Sequence, residues 1–220
     1  MEVPPPAHLI IVADDYGYTP AYDDGILDAA RVGALDAVGV MVLRDPDPTQ
    51  LLESGVEIGL HLELDNAPLD AQLESFRAIF RTAPAYLDGH HHCHAQAGRR
   101  ALEVARLGAR LGVPVRSVNA RHRRLLRCLG APTAERLIGR LSEDEPALPG
   151  ELDDWLAGRR APVGVVEWMV HPGHPDPRSS SDYDRGRGED LALLLELGNR
   201  DRWRDRGITR AGPGEALGAG

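Results

Sequence analysis

Four histidines fall within five residues in the middle of the chain, in Tyr86-Leu87-Asp88-Gly89-His90-His91-His92-Cys93-His94. Imidazole is a common metal ligand, and it is the side chain whose proton exchanges nearest neutral pH. In an extended chain His90, His92 and His94 share one face and His91 turns away. Three imidazoles on one face are costly to bury without a cation or hydrogen-bond partners. The cluster therefore reads as a metal site, or as a partly exposed polar stretch in which His91 and His92 support the ligands. Cys93 is a soft ligand or, on the strand alternation, a small residue on the opposite face. Three other segments carry similar chemistry. Asp14-Asp15-Tyr16-Gly17 offers one carboxylate for a metal and one for a proton; as a polar loop it would only cap a turn. His61, in Gly59-Leu60-His61-Leu62, is a ligand or a satisfied core histidine. Glu167-Trp168-Met169-Val170-His171-Pro172-Gly173 ends in a histidine that faces a strand-end pocket or sits in an ordinary loop. Glu167 has Arg116 as a candidate interior partner, or is an ordinary edge charge. His174 and Asp176 follow in a loop and read as non-catalytic.

Each of these segments follows an apolar run: Leu9–Val12, Val56–Leu60 or Val165–Val170. Parallel sheets and barrels collect their sites at the C-terminal ends of their strands. The chain alternates accordingly. Strands are expected at His8–Ala13, Ala37–Leu43, Val56–Leu62, Ala85–Asp88, Val113–Val118, with its regular part after Pro114, and Val163–Val170. Asp14–Tyr18 reads as a loop. Helices are expected at Ala21–Val32 after Pro20 and before Gly33, at Thr49–Ser54, at Asp70–Thr82 with Asp70 as its cap, and at Gly98–Leu111. Further helices are expected at Thr133–Leu141, Leu152–Ala157 and Asp190–Leu197, and the tail after Arg210 is expected to fray. Repeated β-α units imply a parallel sheet, in an incomplete or distorted β/α barrel or a flat doubly wound sheet. No glycine-rich dinucleotide fingerprint or phosphate loop supports a nucleotide-binding version.

At 220 residues and 42% hydrophobic content the chain suits one domain with a sizeable core. A net charge of −9 disfavours nucleic acid or an anionic membrane as the main partner. All 25 basic residues are arginine, which excludes a Schiff-base lysine. Two cysteines, Cys93 and Cys128, build no disulfide framework and fit a reducing cytosol. Met1–Pro6 lacks a basic leader region, and no stretch reads as a membrane span. A cytoplasmic location is expected.

In order, and in spacing within each motif, these segments resemble the YdjC-like carbohydrate deacetylases, a family that includes hopanoid-biosynthesis deacetylases. The resemblance rests on Val12-Ala13-Asp14-Asp15-Tyr16-Gly17, Gly59-Leu60-His61-Leu62, Leu87–His94 and Glu167–Gly173, with a weaker fifth motif in Ser181-Asp182-Tyr183, Arg187 and Asp190-Leu191. The resemblance spans roughly Leu9 to Leu197 and implies a distorted β/α barrel related to NodB-type polysaccharide deacetylases, and residues 1–220 are expected to form a single domain. It also implies removal of acetyl groups from N-acetylated sugars with one divalent metal ion, Mg2+ or Zn2+, and a homodimer is a further expectation. By motif position Asp15, His61 and His90 would be the metal ligands, Asp14 the catalytic base and His171 the proton donor. Arg116 would hold Asp14, and Glu167, His92 and His94 would lend support. The stretch between His61 and His90 is shorter than the resemblance implies, and Ala95-Gln96-Ala97 stands where a bulkier apolar residue and then proline are expected.

Those residue types suit amide hydrolysis, which needs an activated water, a polarised carbonyl and a protonated leaving nitrogen. Two other functions use the same residues. A metal-dependent phosphoesterase would draw on His92, His94 and Asp88 for a second ion, and a non-catalytic binding protein would use the metal for stability alone.

Overall fold

The computed structural model describes residues 7–198 and 200–218. Met1–Pro6, on which the expectation about the leader rests, lies outside them. The apolar run near the start becomes β1 (Ala7–Tyr16). Helix α1 (Pro20–Arg31) opens on Pro20, and Thr19 Oγ1 accepts the Tyr22 N–H at 3.3 Å. Next come β2 (Ala37–Val40), a 3-10 turn (Val42–Arg44), α2 (Thr49–Glu53), β3 (Glu57–Leu62) and α3 (Leu69–Phe80). The middle of the chain holds β4 (Leu87–Gly89), a 3-10 turn (His90–Ala95), α4 (Arg99–Leu111) and α5 (Ala120–Cys128). The rest is β5 (Arg136–Ile138), α6 (Gly150–Leu156), β6 (Val165–Val170), α7 (Asp184–Leu197), α8 (Arg200–Arg204), β7 (Ile208–Arg210) and α9 (Pro213–Leu217).

The strands run in the order β4-β3-β2-β1-β6-β5, all parallel, and β7 pairs with the start of β1. Between β4 and β5 the ring is completed by single bonds to the segment around Val115. Leu87 N–H donates to the Pro114 carbonyl at 2.9 Å, Arg116 N–H to Leu87 at 3.0 Å, and Val115 N–H to Pro132 at 2.9 Å. The result is a distorted β/α barrel.

Alternation along β1 divides the core. Leu9, Ile11 and Ala13 face the helices within the main cluster, which also holds Ile26, Phe76, Trp168 and Trp203. Ile10 and Val12 face inward and meet Ala37 and Tyr86 in a smaller cluster. A Cβ on Gly59 would sit 2.3 Å from the Tyr86 ring, so only glycine there lets Tyr86 lie across the barrel.

Four expectations are corrected. Val113–Val118 is not a strand; Pro114 has no N–H for a ladder, and only Val115 bridges to Leu87. Thr133–Leu141 is not a helix; its centre is β5, drawn into the sheet by pairing with β6, and Gly139 at φ +144° ends it. Asp70 does not cap α3, which starts after Pro68 with Asp70 already in its first turn. Among the described residues the tail does not fray after Arg210. Ala216 and Leu217 of α9 pack on the inner cluster, and Glu57 accepts the N–H groups of Gly214 and Glu215 at 2.6 and 3.1 Å. That helix closes the end of the barrel opposite the strand C-termini.

Candidate active site

The inward face of β1 continues from Ile10 and Val12 to Asp14. Alternation alone would send Asp15 outward. The register with β2 shifts between Ala13 and Tyr16, and Asp15 adopts φ 73°. This left-handed residue in a bulge turns both carboxylates toward one mouth. Gly17 (φ 97°) completes the reversal, and its N–H donates to Asp23 at 2.6 Å.

The histidine cluster is not extended, which corrects the one-face reading of His90, His92 and His94. His91 and His92 have φ of 49° and 54°, so the chain turns at once after β4. Of the four clustered histidines, His90 reaches the carboxylate of Asp15. His91 stacks on the outside of His90, their ring centroids 3.9 Å apart. His94 is buried, with its Nε2 3.1 Å from the Arg116 carbonyl. Cys93 points away from the site and donates its thiol to the Leu62 carbonyl.

Asp15 is the meeting point. Its Oδ1 lies 2.9 Å from His90 Nδ1 and 3.3 Å from His61 Nε2, and its Oδ2 accepts from Arg187 at 2.6 Å. One ligand atom from each of Asp15, His61 and His90 lies within 4.8 Å of the others. His61 places its other nitrogen 2.8 Å from Asp88 Oδ1, and such a carboxylate behind the ring commonly orients a ligating imidazole. One carboxylate oxygen and two imidazole nitrogens, with the remaining directions open to a pocket, suit a divalent ion of the zinc, manganese or iron type. Asp14, His61 and Asp88 form a second such group, but a fixed cation already serves it. Arg116 donates to both oxygens of Asp14 at 2.5 and 2.8 Å, lies 2.9 Å from Asp88 and donates to Glu167 at 2.5 Å. A second metal of the phosphoesterase kind would have to displace that guanidinium.

Electrostatics separate these groups. Burial alone would raise Asp14, but Arg116 and the nearby His61 hold its carboxyl well below the usual range. Burial also opposes ionisation of Asp15, and the hydrogen bonds from His61 and His90 with the Arg187 charge outweigh it. His171 follows β6, with its Nε2 4.0 Å from Asp14 Oδ2; burial pushes its pKa down against the pull of Asp15 and Asp14. Its backbone N–H is held by Asp190 at 2.9 Å, and Tyr183 packs edge-on against its ring. Burial and then Arg116 push His92 down to about 4.

All nine residues singled out from the sequence converge around this strand end. Arg187, Asp190 and Arg140 were given no role there. Arg187 crosses from α7 to reach Asp15, and Arg140 donates to Asp190 at 2.9 Å. Their signal was faint, although Arg187 and Asp190 do fall in the weak fifth motif. The site opens into a cavity of about 410 Å³ lined by Tyr18, Met169, Leu141, Ser181, Asp182 and Tyr183 among others.

Fold and site together define a β/α barrel protein with a carboxylate–imidazole centre at its strand C-termini. The chain belongs to the YdjC-like protein family, whose profile matches residues 8–68 and 66–204. It is 26% identical to a carbohydrate deacetylase of Geobacillus stearothermophilus, over 87% of this chain and 90% of that protein. It is 27% identical to a human carbohydrate deacetylase over 139 residues, and the match spans only 43% of the length of that relative. Among solved structures, a candidate cellobiose-phosphate cleavage protein from Enterococcus faecalis V583 superposes with a TM-score of 0.75 at 22% identity, covering 96% of this chain and 99% of that one. A family 4 acetyl xylan esterase from Clostridium thermocellum, in complex with cobalt, shares the fold at a TM-score of 0.51 and 14% identity, covering 94% and 89%. Both likenesses are to the fold alone.

Proposed function

We propose that this protein is a metal-dependent deacetylase of N-acetylated sugars. The carrying observation is the convergence of Asp15, His61 and His90 within 4.8 Å, with Asp14 and His171 beside them at the floor of an open cavity. The names of the relatives support the acetylated-sugar substrate.

In this reading Asp15, His61 and His90 hold a divalent ion, which when bound supplies Lewis acidity to water and to the amide carbonyl. Arg187 fixes one oxygen of Asp15, and Asp88 fixes the tautomer of His61 by accepting from its Nδ1. Asp14, kept ionised by Arg116, takes the proton of the attacking water at Oδ2. His171 Nε2, 4.0 Å away, carries a proton to the departing nitrogen. Its lowered pKa leaves it neutral at rest and ready to pass on a proton received from Asp14. His92 faces the same cavity as a substrate contact, and His94 braces the backbone that carries Arg116.

The test pairs metal content with acetate release from a chitobiose-type sugar. Chelation should stop turnover and a divalent ion should restore it. Asp14→Asn should keep the metal and lose roughly 10²–10⁴-fold in rate. His90→Ala should empty the site, while His92→Ala and His94→Ala should weaken affinity or activity roughly 10–100-fold. A metal-loaded protein that releases no acetate from N-acetylated mono- or oligosaccharides overturns the function. A site emptied by His94→Ala and not by His90→Ala overturns the ligand set.

A further inference from the structure

The net charge of the chain argues against an anionic surface as partner, but its distribution does not. Residues 99–128 hold nine arginines and one acid, Glu103, a local charge of +8. The whole chain carries −9, so its remaining residues carry −17. Arg116 points into the barrel. The other eight arginines lie along or beside α4 and α5, which pack against each other on the barrel's outer flank. Arg99 and Arg100 pair with Glu103 and Asp65. Arg106, Arg110, Arg121, Arg123, Arg124 and Arg127 meet no carboxylate among the described residues.

With 34 acids against 25 arginines, carboxylates are plentiful in this chain. Six guanidiniums left without an ion pair along two neighbouring helices repel one another, and acids placed closer would remove that cost. The face is also broad. Helix α4 alone extends about 20 Å, and two shallow cavities of about 400 and 360 Å³ open beside these arginines. Neither helix carries Phe, Tyr or Trp. The face therefore lacks rings to stack on unpaired bases. Two helices side by side on a barrel flank also make a poor wedge for a nucleic-acid groove. Guanidinium groups do match phosphate oxygens two at a time.

We propose that the α4–α5 face docks this protein on a bilayer of phosphate-bearing anionic lipid, with the acidic remainder turned toward water. Each arginine held near such a surface contributes roughly fivefold to partitioning, within a Debye length of the headgroups. Both helices start at the end of the barrel that carries the candidate site, so docking sets the mouth of the cavity beside the headgroups.

The test is flotation of the purified protein with vesicles of phosphatidylcholine alone, or of phosphatidylcholine mixed with phosphatidylglycerol, at low and high salt. The expected result is comigration with the mixed vesicles at low salt, lost at high salt and absent with phosphatidylcholine alone. Combining Arg106→Glu, Arg110→Glu, Arg124→Glu and Arg127→Glu should lower partitioning at least roughly 10³-fold at an unchanged melting temperature. If that combination does not fold, the 106/110 and 124/127 pairs made separately should each lose at least roughly 30-fold. The proposal is overturned if wild-type protein ignores the mixed vesicles, if it binds neutral ones equally, or if the folded variants float undiminished. Binding to heparin or duplex DNA without vesicle binding also overturns it.

Discussion

Arg116 illustrates how one side chain organises the polar interior. Its guanidinium serves Asp14, Asp88 and Glu167 together, from a position with no solvent contact. A buried charge left without its partner is strongly destabilising. Arg116→Ala should therefore cost about 3–5 kcal/mol in urea unfolding at neutral pH. The loss has a pH sign. Without the guanidinium the three buried carboxyls prefer the protonated form, so their folded-state pKa values rise. Stability is then present at low pH and lost as pH rises through those values. The gap between variant and wild type should narrow on going from neutral to mildly acidic buffer, and an unchanged gap would mean that the carboxyls had found other partners. The pairing of Arg116 with Glu167 could be read from the sequence because both charges sit in apolar runs. Asp88 could be read only as a spare ligand, because nothing in the chain shows that it stands behind His61. Arg187 lies sixteen residues past His171 in a helix with little apolar periodicity, and its reach to Asp15 becomes visible only when α7 is laid across the mouth.

At the scale of elements, the strands that deliver the site were legible and the segments that complete the ring were not. β1, β3 and β6 are apolar runs that end in a charged or imidazole side chain. β5 is three residues long and half-buried, and its conformation is imposed by β6 rather than by its own pattern. The turn at His91 and His92 was equally hidden, since positive φ at non-glycine residues leaves no compositional mark. The start of α1 carries a pH-dependent link to the site. Burial pushes Asp23 from 3.8 up to about 7, against the lowering hydrogen bond from the Gly17 N–H. A raised folded-state pKa means a contribution that is complete below about 4 and lost as pH rises to about 7. Asn at position 23 keeps an oxygen for Gly17 and takes no charge. The melting temperature of Asp23→Asn should gain on wild type across that interval and hold a constant lead above it. Parallel melts in buffers from acidic to mildly alkaline would show this, and a lead independent of pH would sink the assignment.

At the scale of the molecule, alternating strand and helix patterns were enough to predict a parallel sheet, and its closing into a barrel followed from the family resemblance. The role of the C-terminal segment was not legible, because Pro213, Gly214 and the small residues around them read as a fraying tail. In the structure β7 brings Arg210 to the buried Asp36, whose Oδ2 also accepts the Ile11 N–H, and α9 then covers Ile10, Val12, Ala37 and Tyr86. Truncation after Arg210 should lower the melting temperature by several degrees and raise binding of a hydrophobic dye. A truncated protein that melts like the full chain would restore the reading of a dispensable tail.

The floor made by α9 also sets the traffic of the reaction proposed for this barrel. With one end plugged, water, sugar and both products share a single door. In that reaction the acetyl group would reach deepest, toward Asp15 and His61, with the sugar in the outer cavity behind it. Acetate formed at the bottom would then be held until the amino sugar has gone. Release is then ordered, with the sugar first and acetate last. Acetate, as the last to leave, should compete with substrate for the free enzyme, while the amino sugar should inhibit in a mixed or noncompetitive pattern. Initial-rate inhibition by each product separates this order from its reverse, in which the two patterns are exchanged.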